Sequence, residues 1–143
     1  MAQLNGLLPV RVLFLGFDSR ERGRVASSLA PFGYVCVGAG IEDAYEPSGE
    51  PRFEAVIFDA RARPRESLRL LDKFRAEAPG RALVVVASPN DPTIYRHAAG
   101  IPRAIVLYAP LSLPHLQDAL DRLTEGAEWP RAKGRAERVR TSA

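Results

Sequence analysis

Asp59 is the side chain with the clearest chemical promise. It follows the apolar run Ala55-Val56-Ile57-Phe58, so a buried strand would deliver its carboxylate to the end of a sheet. A carboxylate there can accept hydrogen bonds, hold a cation or act as a nucleophile. Arg61, Arg63 and Arg65 follow at alternate positions. Any of the three is near enough in sequence to pair with Asp59 and keep it ionised. Elsewhere chemistry-bearing types are sparse. Cys36 is the only cysteine, within Tyr34-Val35-Cys36-Val37, and reads as a small core residue. His97 and His115 fall in different helical segments without a Cys or acidic cluster, so no metal site is expected. No serine sits in a Gly-x-Ser-x-Gly elbow, and Cys36 has no base nearby in sequence. Gly38-Ala39-Gly40 follows the wrong strand and lacks the third glycine of a dinucleotide loop, and there is no Walker sequence. The reading is a chain with no catalytic residue and no cofactor.

The elements that must position Asp59 are legible as five apolar runs: Val10–Leu15, Tyr34–Val37, Ala55–Phe58, Ala82–Ala87 and Ala104–Tyr108. Four are nearly continuous, as in strands buried on both faces; Tyr34–Val37 is short and suits an edge. Helix signals lie between them. Asp18-Ser19-Arg20-Glu21 has the form of a capping box, with Glu21 reaching back. Val25, Leu29 and Phe32 then share a face, and Gly33 stops the helix. Pro64 opens a helix carrying Leu68 and Leu71, which Pro79-Gly80 ends. Asn90-Asp91-Pro92 opens a short helix closed by Gly100. Ser112 caps a last one with Leu116, Ala119, Leu120 and Leu123 on one face. Residues 41–51 hold at most one helical turn. Alternating β and α elements imply a parallel sheet with helices on both faces. Right-handed crossovers and the short edge strand favour the order 2-1-3-4-5.

The chain has 143 residues, 46% hydrophobic and 26% charged, which suits one globular domain. Residues 10–126 are expected to form it, after a short extension over 1–9. The net charge of +3 is unevenly placed. From Trp129 to Ala143 there are five basic residues and one acid, which leaves residues 1–128 at −1. The body therefore gives no reason to expect nucleic-acid binding. Residues 127–143 are expected to be a disordered basic tail. No run approaches the ~18 apolar residues of a membrane span, and residues 1–9 lack signal-peptide order. With no disulfide framework, a reducing cytoplasm is the expected compartment.

The ordered set of strands resembles the receiver domain of two-component response regulators (CheY-like), over roughly Arg11 to Leu123. The carrying segments are Val12-Leu13-Phe14-Leu15-Gly16-Phe17-Asp18, Gly33-Tyr34-Val35, Glu54-Ala55-Val56-Ile57-Phe58-Asp59, Leu83-Val84-Val85-Val86-Ala87-Ser88 and Val106-Leu107-Tyr108-Ala109-Pro110. The resemblance implies a flavodoxin-like α/β fold and puts Asp59 at the phosphoacceptor position. It also exposes departures. The acidic pair that helps to hold magnesium is replaced by Gly16 and Phe17, leaving Asp18 one position late. Magnesium wants oxygen ligands in strict octahedral geometry, which a glycine and a phenylalanine do not supply. The strand-4 hydroxyl position falls on Ala87, with Ser88 one residue on, and the strand-5 lysine is replaced by Ala109. Phosphoryl transfer depends on positioning and on cancelling negative charge.

The expectation is thus a degenerate, phosphorylation-independent receiver that binds signalling proteins. Tyr95, Tyr108, Leu111 and Leu113 would lie on the family's output face, which also suits a homodimer. Two alternatives stand beside it. Arg131, Arg135 and Arg138 in the tail resemble the arginine-rich tails of receiver-like proteins that bind cyclic di-GMP, since arginine forks grip phosphates. The other alternative is an active phosphoreceiver at Asp59.

Overall fold

The computed structural model describes residues 9–40, 53–77 and 80–125. Five strands, β1 (Val10–Leu15), β2 (Tyr34–Gly38), β3 (Ala55–Asp59), β4 (Ala82–Ala87) and β5 (Ala104–Tyr108), form one parallel sheet in the order β2-β1-β3-β4-β5. The order expected from the crossovers is the order found. The described helices are α1 (Ser19–Leu29), α2 (Pro64–Glu77), α3 (Pro92–Ala99) and α4 (Leu113–Glu125). The segment 41–51, and with it the proposed turn of helix, lies outside the described residues.

Strand alternation divides the apolar residues between two cores. Val10, Val12, Phe14, Ala55, Ile57, Val84 and Val86 pack on one face, with Val25 and Leu29 of α1 and Leu116, Ala119 and Leu120 of α4. Leu13, Leu15, Val56, Phe58, Leu83 and Val85 pack on the other, with Leu71 of α2 and Ile94 and Ala98 of α3. This is why the three central strands read as continuous apolar runs. β5 was expected to behave like them. It is only partly buried, because it is the second edge of the sheet and has a neighbour on one side. Among the described residues no helix is long and apolar enough to cross a membrane.

Three local expectations need correction. Cys36 is exposed, not a core residue. It lies on edge strand β2, where only Tyr34 is fully covered. Phe32 does not extend the apolar face of α1. The chain tightens into a 3₁₀ turn over Ala30–Phe32, which turns Phe32 outward before Gly33 takes φ 90°. Asp18 does cap α1, its carboxylate accepting from the Glu21 N–H at 2.8 Å. Glu21, however, sends its side chain to Arg61.

Candidate functional site

The ends of β1 and β3 meet at the switch point of the sheet, where open α/β folds place ligands. Alternation sends Asp59 to the same face as Ile57, the side covered by α1. Its side chain keeps 9% of its exposure. Arg61 wraps back onto it. The Arg61 N–H donates to Asp59 Oδ1 at 3.0 Å, Nε to the same oxygen at 2.7 Å, and Nη2 to Oδ2 at 2.7 Å. Nη2 also donates to Glu21 Oε1 at 2.8 Å, which ties the β3–α2 loop to the first turn of α1. The guanidinium carbon lies 6.0 Å from the centre of the Phe17 ring, which packs edge-on against Phe14 at 5.7 Å. The hydrogen bond to Asp59 is the main cause that raises the Arg61 pKa above its ordinary value. Of the three arginines near Asp59 in sequence, Arg61 pairs with it, while Arg63 turns to Glu66 at 3.3 Å and Arg65 is exposed.

Of the remaining pocket positions, only Asp18 carries a carboxylate. Gly16 has φ 88°, and a Cβ built on it would stand 2.5 Å from the Asp59 carbonyl oxygen and 3.3 Å from its Cβ. No other residue fits there without moving backbone. Phe17 is 8% exposed and belongs to the core. Asp18 is occupied as a helix cap. The residues present therefore do not fit the magnesium ion that the resembled family implies. Ala87 ends β4 fully buried, Ser88 follows the strand, and the Ala109 N–H donates to the Ala87 carbonyl at 2.9 Å. Lys73 belongs to α2, so among the described residues no lysine stands at the end of β5. Beside Asp59 a cavity of about 500 Å³ opens toward α2, lined by Phe17, Asp18, Phe58, Ser67 and Leu70 among others.

The other predicted residues separate. Tyr95 of α3 and Tyr108 of β5 stack at 6.5 Å and 28°, and are 50% and 43% exposed. Leu111 and Leu113 are half-buried, packed against the α1/α4 core. His97 pairs with Asp72 at 2.8 Å on the α2/α3 side, whereas His115 lies on α4 across the sheet. Among the described residues there is no group of three or more His, Cys, Asp or Glu able to hold a metal ion. Arg131, Arg135 and Arg138 lie outside the described residues.

Sequence reasoning missed the role of Glu21 altogether. Its spacing from Asp18 already had a local explanation as a capping box, and nothing in the sequence signals a partner forty residues away.

No protein-family model matches the chain, and no curated protein is significantly similar to it in sequence. Solved structures do match. A response regulator from Thermotoga maritima superposes with a TM-score of 0.69 at 17% identity, covering 83% of this chain and all of that one (100%). A response regulator receiver protein from Sinorhizobium medicae gives 0.66 at 18% identity over 84% and 98%. Another from Pseudomonas putida gives 0.64 at 24% identity over 80% and 97%. The fold is that of response regulator receiver domains.

Proposed function

We propose that the chain is a receiver-like signalling domain that acts through protein contacts, without phosphorylation of Asp59 and without turning over a substrate. One observation carries the reading: both oxygens of the Asp59 carboxylate are taken up by Arg61. A nucleophilic carboxylate must turn an oxygen toward phosphorus, and charge must be cancelled around the transferred group as it moves. Here three of the roughly four acceptor sites of Asp59 already take N–H groups of Arg61. The chain's own cation is already engaged, shared between the Asp59 and Glu21 carboxylates. The flanking positions, Gly16, Phe17 and Ala109, offer neither oxygen ligands nor an ammonium group.

The contact surface is proposed to centre on Tyr95 and Tyr108. Two stacked tyrosines on an exposed face supply rigid apolar area with hydroxyls free for polar contacts, the composition favoured at binding hot spots. Signalling proteins are the partner class, by likeness to the response regulators whose fold it shares. Self-association through the same face is one form this can take.

The test is incubation of the protein with a small phosphodonor and Mg²⁺, followed by intact mass. The expected result is an unchanged mass. Gain of one phosphate, abolished in Asp59→Asn, would overturn the proposal in favour of an active phosphoreceiver.

A further inference from the structure

Three features stand together at the sheet end that loss of metal binding alone does not account for. Where the resembled family carries an acid, the chain has Phe17, whose ring faces the Arg61 guanidinium. Gly16, next to it, lets the β1 loop sit against the Asp59 backbone. Glu21, on the first turn of α1, supplies a second carboxylate on the same nitrogen that serves Asp59. We infer that Arg61 is a tethered cation standing in the seat of a divalent ion, with Asp59, Glu21 and the Phe17 ring forming a seat shaped for a guanidinium. The inference rests on the phosphorylation-independent reading of the same site and adds what replaced the metal.

The chemistry of the seat supports a guanidinium over a metal. A guanidinium is planar, donates from its edge in a fixed fork and offers its face to an aromatic ring. Asp59 and Glu21 accept from the Arg61 N–H groups, and the Phe17 ring lies under the guanidinium carbon at 6.0 Å. Magnesium demands near-octahedral oxygen ligands, and a phenyl ring supplies none. The seat is also a junction. Glu21 belongs to α1, which packs on one face of the sheet, while the loop carrying Arg61 leads into α2 on the other. The bridge therefore fixes the loop against a helix that the sheet alone would not hold to it. Without the Arg61 side chain, Asp59 would lose two of the three hydrogen bonds that hold it, and Glu21 would be left with the looser pairing with Arg24 at 3.7 Å.

Chemical rescue tests this. In Arg61→Ala the missing part of the side chain is ethylguanidinium. Added at millimolar concentration, ethylguanidinium is expected to raise the melting temperature of Arg61→Ala by about 3 °C or more above an equal concentration of sodium chloride. It should shift the Phe17 ring resonances of that variant as well. Wild type and the double variant Arg61→Ala/Asp59→Asn should show neither response, and magnesium chloride should act only as an ionic-strength control. If Arg61→Ala does not fold, Arg61→Gln serves, with rescue read from the Phe17 resonances. Equal effects of ethylguanidinium and sodium chloride would overturn the inference, as would rescue by magnesium. If rescue fails while the wild type still takes up no phosphate, only the role of Arg61 as cation is lost. Phosphate on wild-type Asp59 would remove both this inference and the reading it rests on.

Discussion

Replacing Gly16 tests the pocket most directly, because the residue is held by backbone on both counts that matter. Its φ of 88° lies where an L side chain is strained, at a cost of roughly 1–2 kcal/mol. The added Cβ would also stand 2.5 Å from the Asp59 carbonyl oxygen, a strand atom with no rotamer to escape into. Relieving such a contact requires a backbone shift of the kind that costs about 1–3 kcal/mol in overpacked cores. Gly16→Ala is therefore expected to lose about 2–5 kcal/mol out of the ~5–15 kcal/mol typical of a domain. In urea the midpoint should fall by about 1 M or more at unchanged slope. Gly23 provides the internal control. It lies in α1 with nothing within 4 Å of a Cβ, so Gly23→Ala should raise stability by about 0.5–1 kcal/mol through helix propensity. The reasoning fails if Gly16→Ala stays within about 0.5 kcal/mol of wild type, the range of ordinary surface changes. An acid at position 16 would then be a tolerated substitution, and the absence of a metal site would no longer be built into the backbone.

Two further outcomes follow from the same geometry. Asp59→Asn should destabilise the protein by about 1–3 kcal/mol in urea unfolding, since it removes charge-assisted bonds to a partly buried arginine. A gain in stability would mean that Asp59 is an uncompensated acid and that the clamp is absent in solution. Tyr95→Ala/Tyr108→Ala should cost no more than about 1–2 kcal/mol of stability, because both residues are only about half covered, yet weaken partner binding or self-association at least about tenfold. Calorimetry and sedimentation decide the matter, and retained association in a folded variant would move the contact surface elsewhere.

Much of the architecture was open to reading from the chain itself. Strand runs, the Asp18 cap, the Gly33 stop and the apolar face of α4 are local signals, and each is satisfied within a few residues of where it is written. Continuous apolar runs also revealed that β1, β3 and β4 lie between two layers of helices. The departures at Gly16, Phe17 and Ala109 could be read as the loss of a metal-holding pocket.

Which residues surround Asp59 depended on the assembled sheet. Arg61, Arg63 and Arg65 are equivalent by spacing, and only the direction in which β3 delivers Asp59 makes Arg61 the partner. Glu21 joins the site because α1 covers the face to which Asp59 points. Cys36 and β5 differ: their exposure follows from a strand order that was already legible, but apolar runs alone do not show which strands end the sheet. Sequence periodicity records which residues are turned away from water over one or two turns of chain. Pairings between residues far apart in the chain come into being only when the sheet fixes the distance and the face at which they meet.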